Sequence, residues 1–231
     1  MCGLAVGLGL SLLGHFVADG VRDHKSMDRH VEVKGLAERE VVADQASWVL
    51  SYSISGDDFD AVHAQVDAQG AQIRRFLARH DIPGEDVELG QTVVTDQSTN
   101  PYQPPNPGPR YHVRASVVVE SDAVQSVDAA AGAVNELVRT GILLDPTQPT
   151  YRFTRLNEIK PEMLAEATRN ARQAAERFAE SAEQSVGPIR SARQGVFSIQ
   201  AAVSSPDAYA SAAQSLDKRV RVVTTLDFQL E

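Results

Sequence analysis

From Val31 onward the hydrophobic residues change period repeatedly, from two residues to about 3.6 and back, and a chain patterned in this way folds as neither a helical bundle nor an all-β sandwich. In residues 44–55, Trp48, Leu50, Tyr52 and Ile54 share one face while Ser47, Ser51, Ser53 and Ser55 take most of the other, which predicts a half-buried strand. Asp57 or Asp58 then caps a helix whose Phe59, Val62, Val66, Ile73 and Phe76 recur at helical spacing and which Pro83-Gly84 forbids from continuing. Residues 87–95 read as a second strand. Tyr111, Val113, Ala115, Val117 and Val119 alternate with His112, Arg114, Ser116 and Glu120 as a third. Asp122 with Gln125 predicts a capping box for a helix carrying Val124, Val127, Ala131, Val134 and Val138, which stops at Thr140-Gly141. Tyr151 and Phe153 mark another strand.

That order is β-α-β-β-α-β, the split arrangement in which two helices cover one face of an antiparallel sheet. A third long helix is expected to begin after Asn157, with Pro161 in its first turn, and to run to about Gln184. Its seam of Met163, Ala167, Ala171, Ala174, Phe178 and Ala182 is mostly small, which predicts close docking. Two closing strands follow, near residues 189–202 and 218–231, the last with Val220, Val222, Leu226, Phe228 and Leu230 on one face. The expected class is therefore α+β: antiparallel sheets with helices on one face, the split core, a third long helix and two C-terminal strands, preceded by an N-terminal hydrophobic helix.

Two segments read as connections. Residues 96–110 hold Pro101, Pro104, Pro105, Pro107 and Pro109, which fix backbone angles and remove donors, so the segment reads as a stiff hairpin loop. It also resembles the ligand of a proline-binding domain, which makes it a candidate site for a protein partner. Residues 204–215 are small and polar and read as a linker.

Residues 1–18 are apolar apart from Ser11 and His15, and as a helix would span about 27 Å, close to the hydrocarbon thickness of a bilayer. An uncleaved anchor, a cleaved signal and a buried helix are the three readings. Ala18-Asp19-Gly20 has the small-x-small form of a cleavage site, but no basic residue precedes the apolar run. Residues 1–20 are taken as a transmembrane anchor or uncleaved signal segment, 21–30 as a juxtamembrane spacer, and 31–231 as the folded domain. Arg22, Lys25 and Arg29 after the segment favour a cytoplasmic C-terminal side, a cue diluted by Asp19, Asp23 and Asp28.

Composition removes several function classes. The 231 residues carry a formal charge of −9, and no Lys/Arg run with interleaved aromatics is present, so nucleic acid is not an expected partner. A single cysteine, Cys2, excludes an intramolecular disulfide framework. Ser215-Leu216-Asp217-Lys218 has Ser-x-x-Lys spacing but precedes a strand and lacks its companion motifs. His63 and Asp67, four apart on a helix, form half a metal site at most, and His80 and His112 have no paired ligand motif. Trp48 and Tyr52 would suit a carbohydrate platform, but their alternation makes them core residues. Gly35, flanked by Lys34, Glu38, Arg39 and Glu40, reads as a strand corner or bulge with its charges on a solvated edge, where they blunt unwanted pairing. No catalytic, cofactor-binding or metal-ligating residues are assigned, and no cofactor is expected.

Four stretches carry a family resemblance: "VEVKGLAEREVVADQA", then "LARHDIPGEDVELGQTVVT" followed by "YHVRASVVVE", then "NEIKPEMLAEATRNARQAAERFAE", and "VRVVTTLDFQLE". In that order the chain resembles the SIMPL domain (DUF541) family. The resemblance implies an exported or membrane-anchored bacterial envelope protein with an α+β fold, homo-oligomeric rings or larger assemblies in at least some members, links to stress tolerance and no agreed catalytic residues. The expected function is a non-enzymatic assembly or scaffold module, single-pass in the bacterial cytoplasmic membrane with its domain in the periplasm. A ligand-binding sensor module is the alternative.

Overall fold

Every switch of hydrophobic period becomes a change of element in the computed structural model, which describes residues 29–99, 108–202 and 212–231. The N-terminal apolar segment, residues 100–107 of the proline-rich loop and residues 203–211 of the linker lie outside the described residues. In chain order the elements are β1 (His30–Val42), β2 (Gln45–Gly56), α1 (Phe59–Arg79), β3 (Val87–Leu89), β4 (Val93–Asp96), β5 (Tyr111–Ser121), α2 (Val124–Gly132), α3 (Asn135–Arg139), β6 (Thr150–Arg152), α4 (Leu156–Ser181), β7 (Val186–Gln194), β8 (Ser198–Ala201) and β9 (Asp217–Leu230). This is a mixed α+β chain with antiparallel sheets. It divides into two units, one holding the described residues up to Arg39 with Asn157–Ile199 and Val220–Glu231, the other Glu40–Leu156 with Gln200–Arg219.

The second unit is built on a five-stranded sheet in the order β3-β5-β2-β6, with β4 also on β5. Every register within it is antiparallel, and β2 pairs with β5 along its length, from Ala46↔Ser121 to Gly56↔Tyr111. Trp48, Leu50, Tyr52 and Ile54 of β2 and Val113, Ala115, Val117 and Val119 of β5 are buried against Val62, Ile73, Phe76 and Leu77 of α1 and Val127 and Ala130 of α2. Both helices thus cover one sheet face. The other face keeps the serines of β2 and the polar partners of β5, as an antiparallel sheet with one solvated side does.

Local chemistry sets the boundaries. Asp58 caps α1 by accepting from Asp60 N at 2.9 Å and Ala61 N at 3.2 Å. The helix ends with Asp81 in the left-handed region (φ 58°) and Ile82 N donating to Leu77 O at 3.3 Å. The expected strand over 87–95 is two short strands, both on β5, parted at Gly90, whose N–H donates to Ser116 O at 2.8 Å. Nor does Asp122 cap α2: the N-cap is Ala123, with no side-chain cap, and Ser121 Oγ accepts from Ala123 N at 3.1 Å instead. The helix expected to run unbroken to Val138 breaks at Ala133-Val134, and the phase slip turns Leu137 inward while Val138 is 49% exposed. Gly141, at φ 90°, closes it where expected.

In the first unit β9 is the inner strand, with β1 on one side and β7 and β8 on the other. Leu230 N donates to Arg29 O, and Arg221 pairs with Glu38, so β1 and β9 run in opposite directions. The helix α4 starts slightly earlier than expected, so Pro161 falls beyond the first turn, where its missing N–H leaves a carbonyl one turn back without its helical donor. Its buried stripe is Met163, Ala167, Ala171, Ala175 and Ala179, a strict four-residue repeat, whereas Phe178 is 63% exposed. Beneath that stripe lie Val33, Leu226 and Phe228.

Gly35 corrects the sequence reading. It is neither a corner nor a bulge but the middle of the continuous strand β1, and it is buried. A Cβ placed there would sit 1.8 Å from Ala167 O and 2.6 Å from Ala171 N. The glycine is required because the backbone of α4 lies directly on the strand. The single strand expected over 189–202 is likewise two, β7 and β8, both on β9. Between them Gly195 N donates to Val223 O at 2.9 Å, so close that a Cβ would meet the same oxygen at 2.4 Å.

Candidate functional site

The charged residues around Gly35 do not converge. Alternation along β1 sends Lys34, Glu38 and Glu40 to the exposed side, where Glu38 meets Arg221 at 3.5 Å and Glu40 meets Arg219 at 3.0 Å. Arg39 points the other way and donates to Glu162 of α4 at 2.9 Å. That hydrogen bond, then the guanidinium's charge, holds the Glu162 carboxyl below its usual range. These are cross-element ties rather than a reactive cluster.

The remaining sequence candidates are equally dispersed. His63 Nδ1 and Asp67 Oδ2 stand 3.4 Å apart as an exposed pair on α1, and no group of three or more metal-ligating side chains occurs among the described residues. His80 packs on the Phe76 ring with centroids 4.7 Å apart, and His112 Nδ1 lies 2.8 Å from Ser55 Oγ. Ser215 Oγ donates to Asp217 O at 2.7 Å, while Lys218 is buried and donates through Nζ to the carbonyls of Ala212 and Ala213, so the Ser-x-x-Lys pair is spent on backbone contacts. Burial pushes the Lys218 ammonium down from its ordinary value. Trp48 and Tyr52 are core residues: the indole N–H donates to Thr147 Oγ1 at 3.2 Å and the phenol to Val66 O at 3.0 Å.

The strongest local order at the surface lies at the stem of the proline-rich loop. Arg110 grips Asp96 through both nitrogens of its fork, Nε to Oδ1 at 3.2 Å and Nη2 to Oδ2 at 2.9 Å. Ser98 donates to the same carboxylate twice, from N at 2.9 Å and Oγ at 2.6 Å. Gln97 N closes the stem on Arg110 O at 2.7 Å, and Arg110 N donates to Asp57 at 3.0 Å. The guanidinium also covers the Tyr111 ring at 4.8 Å, and that ring meets Phe59 edge-on at 5.5 Å. Hydrogen bonds from Arg110 and then Ser98 hold the Asp96 carboxyl far below the usual carboxylate range. The sequence showed the prolines but not this clasp, because only the pairing of β4 with β5 brings residue 96 to residue 110.

A second missed residue is Asp44. Its carboxylate accepts from Thr154 N at 2.8 Å, Arg155 N at 3.2 Å and Arg155 Nε at 3.0 Å. Burial alone would raise it, yet the hydrogen bonds from Thr154 and Arg155 outweigh burial and hold it low. It borders an open depression of about 650 Å³ shared with Asp122, Gln125, Ser126 and Arg155. Asp44 thus holds the backbone at Thr154 and Arg155 in place beside this depression.

The architecture and these surfaces define an α+β module with antiparallel sheets, close helix-on-strand packing and a clasped hairpin. The model of the SIMPL family, described as a protein of unknown function (DUF541), matches residues 31–228, and the chain belongs to that family. No curated protein matches it.

Proposed function

We propose that this SIMPL protein is a non-enzymatic, membrane-tethered module of the bacterial envelope that works by assembling with copies of itself, its folded domain on the periplasmic side. One observation carries the assembly reading. From Pro188 to Gln194 every residue of β7 is exposed, although the strand is hydrogen-bonded to β9. A strand with neither face covered gains little from folding alone, and it lies in the unit that also exposes Phe178 (63%), Ile189 (46%) and Val196 (90%). A second copy would cover these groups. The tether is the apolar run of residues 1–18, and among the described residues no helix is long and apolar enough to cross a membrane. Tethering raises the effective concentration of the domains and converts weak contacts into assembly. The clasped loop at 96–110 is the proposed contact for other proteins.

Light scattering on the full chain in mild detergent tests this reading. The expected result is a discrete oligomer that Phe178→Asp with Ile189→Asp shifts to smaller species without loss of helical content. A strictly monomeric full chain at high concentration overturns it. For topology, a C-terminal reporter fusion should be active only in the periplasm.

A further inference from the structure

A groove on the second unit, between α1 and the 3-10 turn Gly84–Asp86 that leads into β3, has the features of a small-molecule site. It is an open groove of about 330 Å³, at the lower end of the roughly 300–1,000 Å³ typical of ligand clefts. Its walls are Ala71 and Ala78 of α1 facing Ile82 and Val87, with Arg74 and Arg75 between the two alanines. The spacing explains the shape: residues 71, 74, 75 and 78 form one stripe of a helix, and the alanines leave the volume that longer side chains would fill.

Arg74 and Arg75 are the charged part of the groove's lining, and neither forms an ion pair among the described residues. The chain carries 31 acidic and 22 basic residues, and nine of the described arginines are each paired with a carboxylate; Arg139, Arg169, Arg177 and Arg190 form no such pair either, so what sets Arg74 and Arg75 apart is that both line one groove with apolar walls. Arg74 and Arg75 have no carboxylate three or four residues away on α1, the spacing at which a helix supplies one. In the 3-10 turn next to the groove Asp86 accepts from Ser121 Oγ at 2.6 Å, and neither it nor Glu85 forms an ion pair with the two arginines. Asp67, in the smaller adjoining cavity that shares Ala71 and Arg74, is paired with His63. Two arginines that line an apolar groove are therefore without a carboxylate partner among the described residues.

We propose that this groove binds a small amphipathic carboxylate, its apolar body lying on Ala71, Ala78, Ile82 and Val87 and its head group reached by Arg74 or Arg75 at the groove's edge. Guanidinium forks match carboxylate geometry, and the apolar floor discriminates against fully hydrated inorganic anions.

The test uses the full chain and 3-phenylpropionate as probe, with 3-phenylpropanol as its uncharged counterpart, read by backbone amide chemical shifts. The expected result is saturable shifts at residues 71–87, at least about tenfold weaker for the alcohol and for Arg74→Gln with Arg75→Gln, and weakened by salt. Ala78→Leu fills the groove and should abolish the shifts while α1 remains helical. Equal binding of acid and alcohol, shifts centred elsewhere, unchanged binding in the double variant, or none up to millimolar probe overturns the proposal.

Discussion

Gly35 and Asp81 place opposite demands on a single residue. At Gly35 the backbone is ordinary strand and the constraint is space: a methyl group would enter the carbonyl of Ala167, which belongs to a helix and cannot swing aside. Gly35→Ala should therefore destabilise by about 3 kcal/mol, the upper part of the range for overpacking a tight site. The check is a lowered urea midpoint with an unchanged slope. At Asp81 space is free and the constraint is conformation, since φ is 58° in a residue with a Cβ. Asp81→Gly should stabilise by about 0.5 kcal/mol, seen as a small rise in Tm. Neither role was legible locally. The glycine sits among charges and looked like a corner, and nothing near residue 35 in sequence announces a helix that arrives more than a hundred residues later.

At the scale of elements, alternation and helical spacing were enough to place β2, α1, β5 and α4, because each buries one face and the pattern of that face survives in the residues. Trp48, Leu50, Tyr52 and Ile54 were readable for this reason. What escaped were interruptions made by backbone: the break between α2 and α3, the gap at Gly90, and the crossing at Gly195, each set by a hydrogen bond to a distant strand or by a turn of the helix itself. The loop clasp belongs to this class. Because the Asp96 carboxyl is depressed in the folded state, its contribution is complete above the ordinary value of 3.8 and is lost as pH falls below it. Hydrogen exchange at Ser98 and Gln97 should accelerate selectively in that acid window. Asp96→Asn should remove the pH dependence and make the loop more susceptible to protease at neutral pH; an unchanged acid profile in the variant would count against the clasp.

For the whole molecule, what the chain leaves uncovered matters as much as its core. Both units leave large apolar groups exposed, Leu89 and Leu143 on the second and Phe178 and Val196 on the first, but the longest uncovered stretch of strand among the described residues is in the first, β7 from Pro188 to Gln194. That contrast underlies the expectation of a discrete oligomer sensitive to Phe178 and Ile189. It was not legible in advance, since Phe178 fits the apolar seam of α4 when only spacing is counted. The structure shifts the seam to Ala175 and Ala179 and turns the phenylalanine outward.

The alanine stripe of α4 has a further consequence, concerning information rather than energy. Ala167, Ala171, Ala175 and Ala179 repeat every four residues, so sliding the helix by one such step, about 6 Å, would again present alanine to the strand beneath. The close-packed seam is therefore degenerate and does not encode its own register. That register is written by the groups that do not repeat: Met163 at one end, Asn170 donating to Leu36 O at 2.8 Å, and Arg39 bonded to Glu162. In this unit Met163 and the polar contacts at the rim together set a register that the alanines alone leave open.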